Sequence, residues 1–494
     1  MFLSTDEKDV SPEEAAGTTT ASNRFSALTN LVPDVRTLLP IGGGTTQSLA
    51  KPEEAQRNRR LRLAICSSFL TKPLAVVIPL VTVPLFLKYL GKERYGLYET
   101  IISLAGWLSL TNLGLGLGLM NKLTECYVSQ DRALARRHVS TLFCATAMLM
   151  LVFALGLLAV VPFVDWNSFF RTTMAQGEVA KAIALACVLS LATVFANILS
   201  PIYSAYQELD RFNYWDGASK IFTLISCFIL AQTQLGLLGV LLAMLGAPVI
   251  VRLANLVFLF AYEKPWLCPK TRLFEWGLLK PMMAEGLCFF LLQMAGVALF
   301  STDKLIISTC LGPAAVTDYA VVSRIFLMGY GIYLLFLMPM WPAYGEALRR
   351  NDLDWVKKHL RLSLWLGCGG VALLGMLLLW QGKALLNLWV GPTVLPAGLV
   401  VGLSLSFLFK AWVDCRSVVL NAAGYLKGQI YFWTIQAVLN LVLAVTLVRS
   451  YGVLGVAWAG PISSVLTSFW GYPLMMKRLL KNSKFTQLTL EQPN

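Results

Sequence analysis

Runs of about twenty apolar residues recur along this chain from residue 63 to residue 476, and no other feature limits its fold as strongly. A helix rising 1.5 Å per residue needs about 20 residues to cross about 30 Å of hydrocarbon. Inside a bilayer every backbone N–H and C=O must be satisfied by helix or closed barrel, so uninterrupted runs of this length read as spanning helices. Twelve can be laid out. The first six are 63–87, 95–119, 139–164, 179–203, 214–232 and 237–262; the second six are 281–310, 314–344, 360–380, 394–419, 429–448 and 453–476. The fold class expected is an all-α polytopic membrane protein with twelve transmembrane helices.

Composition agrees with that reading. The chain is 56% hydrophobic and 14% charged with a mean hydropathy of +0.64, outside the soluble range. Its formal net charge of +14 would suggest nucleic acid in a soluble chain. Laid on the loops, the charge follows the positive-inside rule instead. The basic connections are "KPEEAQRNRRLR" (51–62), "DRALARRH" (131–138), "EKPWLCPKTRLFEWGLLK" (263–280), "RRNDLDWVKKHLR" (349–361) and "KRLLKNSK" (477–484). The alternate turns are poor in Lys and Arg, except "KYLGKERYG" (88–96). Both termini are therefore expected in the cytoplasm, and no nucleic-acid partner is implied.

Ten cysteines are scattered without a CxxC pair, so neither a metal site nor a disulfide framework is indicated and no cofactor is expected. His138 and His359 fall in basic loops and read as solvated residues. "GLGLGL" (114–119) lacks the strand and offset of a dinucleotide loop; Gly114, Gly116 and Gly118 are expected to bend a span or admit a neighbouring helix. Residues 1–60 are polar, without the order of a cleaved signal, and are expected to be a disordered cytoplasmic tail.

The two sets of six spans echo each other. "GLLGVLLA" (236–243) opens the sixth span and "GVLGVAWA" (452–459) the twelfth, with five of eight positions identical. Gly91 precedes Tyr98, and Gly312 precedes Tyr319, by the same seven residues. Because six is even, both halves enter from one side, which implies a parallel repeat about an axis along the membrane normal. The expected domains are a six-helix lobe at 61–264, a cytoplasmic linker at 265–280, a pseudo-symmetric six-helix lobe at 281–478 and a cytoplasmic tail at 479–494. Two such bundles around a central site favour transport.

Charges too deep to reach the interface are the candidate functional residues, because each costs about 2.5–3.5 kcal/mol at mid-bilayer. They are Lys72, Arg252, Asp303, Lys304 and Arg324. Lys410 and Asp414 are four residues apart and can pair locally. Arg416 can reach the cytoplasmic interface, and Glu99 and Glu285 each lie about one turn from an interface. Among the deepest groups cations dominate, so a chamber they line would attract anions, with phosphate or pyrophosphate the natural candidate. Pro73, Pro79 and Pro84 follow Lys72 in "LTKPLAVVIPLVTVPLFLKYLG" (70–91) and are expected bend points. No Walker A sequence is present, so ATP hydrolysis is not expected.

"VPLFLKYLGKERYGLYETIISLAGWLSLTNLGLGLGL", "STDKLIISTCLGPAAVTDYAVVSRI" and "YGVLGVAWAG" resemble segments of Wzx-type polysaccharide flippases, within the multidrug/oligosaccharidyl-lipid/polysaccharide exporter superfamily. The resemblance covers residues 61 to about 480. It implies a non-enzymatic transporter in the bacterial inner membrane that flips undecaprenyl-pyrophosphate-linked oligosaccharide to the outer leaflet by alternating access. It also implies membrane lipids and other polysaccharide-assembly proteins as partners. Carried onto this chain, it makes Lys72, Asp303, Lys304 and Arg324 candidates for a cationic chamber. A multidrug or cation-coupled exporter, a lipid II flippase, and a membrane glycan polymerase or ligase are the other readings.

The chamber makes a sharp demand. Lys72→Ala and Arg324→Ala should each abolish surface-glycan export while immunoblots show normal amounts of folded protein; normal export by both removes the cationic chamber.

Overall fold

The computed structural model describes residues 73–481 except 350, 392–394 and 426, together with Ser67 and Thr71. Lys72 and the expected N-terminal tail lie outside the described residues. The described chain is built from helices. In the first half these are α1 (Leu74–Leu108), α2 (Leu115–Ser129), α3 (Arg132–Val160), α4 (Gln176–Ala196), α5 (Leu209–Leu230) and α6 (Ala247–Phe258). In the second half they are α7 (Trp276–Leu311), α8 (Pro313–Leu337), α9 (Met340–Arg349), α10 (Leu353–Val390), α11 (Ala397–Ala422), α12 (Lys427–Tyr451), α13 (Val453–Leu466) and α14 (Ser468–Lys481).

Ten described helices are long and apolar enough to cross a membrane, where twelve were expected. Two physical causes account for the difference. The first two expected spans share the bent helix α1, which continues through Leu108. The fifth, α5, carries Asp210, Arg211, Asp216 and Lys220, which make it markedly less apolar. Large apolar side chains on α3 (Leu151, Val152, Leu155) and α10 (Trp365, Leu373, Met376, Trp380) are exposed, as lipid-facing surfaces require. The chain is a multi-pass membrane protein.

Within α1, Pro79 and Pro84 keep helical dihedrals and Pro73 stands at the N-cap; the one non-helical residue is Gly91, at φ 77°, ψ 172°. The turn between α7 and α8 repeats that geometry at Gly312, with φ 91° and ψ 165°. Positive φ also marks both members of the other sequence echo, Gly236 (φ 55°) and Gly452 (φ 61°). Glycine is favoured at each because a Cβ strains that backbone. Gly91 and Gly312 are therefore matching turns, and Gly236 and Gly452 share the sign of φ.

α1 packs against α7 and α8 as well as α4 and α5, while α7 packs on α2 and α12. The two halves of the sequence thus meet along α1, α2, α7 and α8. The tightest point is Gly96, where an added Cβ would lie 1.7 Å from the Pro313 carbonyl oxygen. Gly114 and Gly118 approach the carbonyls of Gly286 and Met282 almost as closely, at 2.2 Å from their Cβ positions, so the glycine run does admit a neighbouring helix. The main hydrophobic core spans both halves, and a second gathers Leu119, Leu123, Val139, Leu199 and Met282. His138 belongs inside α3 and is buried, not solvated, because the helix starts at Arg132 and turns this residue inward. His359 stacks on Trp355 at 3.8 Å between centroids.

Gly96→Ala should therefore destabilise the protein by about 1–3 kcal/mol through overpacking, measured as a lower Tm in detergent. Gly156→Ala, where nothing lies within 4 Å, should leave the Tm unchanged or raised.

Candidate functional site

The site grows from the two glycine turns. Beyond Gly91, Tyr95 and Glu99 are four residues apart and share one face of α1. Lys304 lies about two turns before the end of α7, and Arg324 about three turns into α8. Because Gly96 lets α1 sit directly on Pro313, Glu99 comes down between these two cations. Lys304 Nζ donates to Glu99 Oε2 at 2.5 Å and Arg324 Nη2 to Oε1 at 2.6 Å. The Tyr95 hydroxyl donates to Oε1 at 2.9 Å. The Glu99 side chain is 1% exposed, against 14% for Lys304 and 25% for Arg324.

A carboxylate this deeply buried persists only with several charge-assisted donors, and removing one partner of a buried pair costs about 3–5 kcal/mol. Here one anion from the first half pairs with two cations from the second and offsets part of their charge. Around it, Lys92 pairs with Asp318 at 2.8 Å, and Thr317 Oγ1 donates to the Lys92 carbonyl at 2.6 Å. Glu93 accepts from Thr172 Oγ1 at 2.8 Å and from the Thr173 amide at 2.9 Å. The turn at 91–96 is thereby tied to α8 and to the segment before α4.

Beside the triad, a cavity of about 130 Å³ opens among α7, α8, α11, α12 and α13, lined by Asp303, Lys304, Tyr319, Lys410, Asp414, Trp433, Gln436 and Asn440. Tyr319 donates to Asp303 Oδ2 at 2.5 Å. The Asp303 carboxylate is buried, with the Asn440 side chain as its further polar neighbour in the cavity. Lys410 pairs with Asp414 at 3.1 Å, as the four-residue spacing suggested. Tyr330 also donates to Asp414, and Lys410 Nζ lies 5.2 Å from the Tyr330 ring centroid.

Of the candidates read from the sequence, Asp303, Lys304 and Arg324 gather at one place. Arg252 does not join them: it lies on α6, which packs on α5 and α4, partly buried and without an ion pair among the described residues. The deep cations also do not face an open chamber unopposed. Lys304 and Arg324 are held by Glu99, and Lys410 by Asp414. Arg416 is buried, with its guanidinium 3.6 Å from the Trp412 ring centroid and Nη1 donating to the Trp412 carbonyl at 2.7 Å; an adjacent ring satisfies it without an interface.

Glu99 itself escapes a linear reading. Counting turns from the loop puts it near an interface, because the close seat of α1 on α8 is invisible along one chain. Tyr95, Tyr319 and Tyr330 are missed for the same reason. One signal was available: Tyr95 and Glu99 at helical spacing, in a chain whose deep cations outnumber its deep carboxylates.

Comparison with known proteins identifies the fold and the family. A protein of Salmonella typhi named as a candidate O-antigen transporter is 22% identical over 423 residues, covering 83% of this chain and 94% of that protein. A candidate O-antigen export protein of Yersinia pseudotuberculosis is 20% identical over 455 residues, covering 86% and 98%. Among solved structures, the inward-facing conformation of a multidrug resistance MATE family transporter of the MOP superfamily matches with a TM-score of 0.70 at 15% identity, over 86% of this chain and 99% of that chain. The inward closed conformation of the lipid II flippase MurJ matches with a TM-score of 0.64 at 15% identity, over 88% and 93%. These show a shared fold. The model of the family described as polysaccharide biosynthesis protein matches residues 65–347, more than half of the sequence, and the chain belongs to that family.

Proposed function

We propose that this protein is a flippase that carries undecaprenyl-pyrophosphate-linked oligosaccharide from the cytoplasmic to the outer leaflet of the bacterial inner membrane. The observation that carries the reading is the convergence of Lys304 and Arg324 at the contact between the two halves of the chain. Two adjacent cations in a low-dielectric setting suit a pyrophosphate, which accepts several charge-assisted hydrogen bonds at once. The lobes 61–264 and 281–478, joined by the linker 265–280, rock against each other about this point. Both termini stay in the cytoplasm, and the 91–96 and 312–318 turns lie on the outer side. The lipid tail remains in the bilayer. Membrane lipids surround the protein, and other polysaccharide-assembly proteins supply its substrate and consume its product. The protein moves its substrate without making or breaking a bond.

The fold also hosts multidrug transport, and one observation favours a cation-coupled exporter as the second reading: Asp303 and Asp414 both line the α7–α13 cavity. Two carboxylates in one cavity suit a cationic drug better than a pyrophosphate. Substrate profiles separate the two. A flippase-deficient cell retains lipid-linked glycan on its cytoplasmic face and exports cationic dyes normally; an exporter-deficient cell shows the reverse.

Removing either cation singly leaves Glu99 one charged partner, so the fold should survive. Lys304→Ala and Arg324→Ala should each weaken pyrophosphate binding about tenfold to hundredfold, the loss of one hydrogen bond to a charged group. Labelled lipid-linked glycan should then accumulate on the cytoplasmic face of membrane vesicles. Export at the normal rate in both variants would remove the two cations from the substrate path.

A further inference from the structure

Lys304 and Arg324 already hold an anion, and it is the protein's own. We propose that Glu99 is an exchangeable counter-ion: its carboxylate occupies the position that the substrate pyrophosphate takes, and the exchange loosens the contact between the halves. This rests on the flippase reading and adds a residue that the reading does not require.

Three observations support the exchange. First, the carboxylate takes hydrogen bonds at 2.5 and 2.6 Å from the same two cations that suit a phosphate oxygen. Second, the two cations are more open than the anion. Lys304 lines the cavity and Arg324 is a quarter exposed, while Glu99 lies behind them at 1%. An incoming anion therefore meets the cations before it meets Glu99. Third, among the described residues the other ion pair joining the two halves, Lys92–Asp318, is on the surface, with side chains 54% and 30% exposed. Exposed pairs contribute little, so Glu99 carries the buried electrostatic contact between the halves.

Charge then dictates the order of events. At rest, one carboxylate partly neutralises two neighbouring cations that would otherwise repel each other. A pyrophosphate linked at both ends carries about two negative charges and balances the two cations by itself, so Glu99 becomes a surplus like charge beside it and is pushed out. Tyr95, on the same helix, can follow Glu99 with its hydrogen bond intact. What is lost is the tie from α1 to α7 and α8, beside the close contact of Gly96 with Pro313. Substrate loading and loosening of the buried α1 contact beyond the 91–96 turn become one event.

The test uses full-length protein in detergent, geranyl pyrophosphate as probe and inorganic pyrophosphate as competitor. Glu99→Gln removes the internal competitor and should bind the probe about tenfold tighter, as expected when a competing state is removed. Glu99→Asp, which keeps the charge but shortens the arm, should fall between this variant and wild type. Hydrogen exchange over residues 91–103 and 313–325 should rise in wild type when the probe is added, and should already be raised in Glu99→Gln without it. A merely structural Glu99 predicts weaker binding in both variants, and unchanged or weaker binding in folded Glu99→Asp overturns the proposal even where Glu99→Gln does not fold. If Lys304→Ala and Arg324→Ala lose binding while the Glu99 variants do not gain it, the exchange fails and the flippase reading stands. If those two alanine variants bind as wild type does, the anion site itself fails. Geranyl pyrophosphate should bind more tightly than inorganic pyrophosphate; equal affinity would point to free pyrophosphate and overturn the lipid-linked source.

Discussion

A single carboxylate, that of Glu99, sets the terms for the centre of this protein. Two cations on adjacent membrane helices are tolerable only with a nearby anion, because the bilayer interior offers no water to screen them. That anion comes from the other half of the chain and reaches the cations because Gly96 has no side chain to hold α1 away from Pro313. The turns at Gly91 and Gly312, the Tyr95 hydroxyl and the ties from Glu93 to Thr172 and Thr173 all hold α1 at the height this pairing needs. A small change in that height would separate charges that are costly to leave alone.

The repeat supplies the scaffold for the site but not its chemistry. Gly91 and Gly312 share their backbone geometry, and Tyr98 and Tyr319 follow each at the same distance. Stepping equally from the two glycines, however, Glu99 corresponds to Ala320, Lys304 to Val83 and Arg324 to Ser103. The three charges of the triad stand where the two halves disagree. Two hairpins with matching turns give helices that meet closely; where their sequences differ, one carries an anion and the other two cations. Attraction across the pseudo-symmetric contact, in place of repulsion, follows from that asymmetry.

Near the triad, the second half encloses its own polar cavity. Its two carboxylates and two lysines include an ion pair, Lys410 with Asp414, and a carboxylate held by neutral partners, Asp303 with Tyr319 and Asn440. The contrast matters because a satisfied ion pair is inert until something displaces it, while a carboxylate held by neutral donors has charge left to offer a cation. Transport proteins of this fold act on lipids in some cases and on drugs in others, so side chains in such cavities decide the cargo, not the helix arrangement.

The sequence by itself determined the membrane-spanning helical class, the echo between the halves and the presence of deep charges. Each of these is written in local terms: run length against bilayer thickness, matched glycine spacings, and ionised residues inside apolar segments. It also determined the Lys410–Asp414 pair, which one helix suffices to form. Only the tertiary structure decided that Lys304 and Arg324 converge, that Arg252 lies elsewhere, and that Glu99 is a buried partner instead of a residue near the surface. The reason is physical. Local order follows from neighbours along the chain, but this charge balance is struck between helices separated by more than two hundred residues. Their distance of approach is set by a glycine whose importance appears only once the other helix is in place.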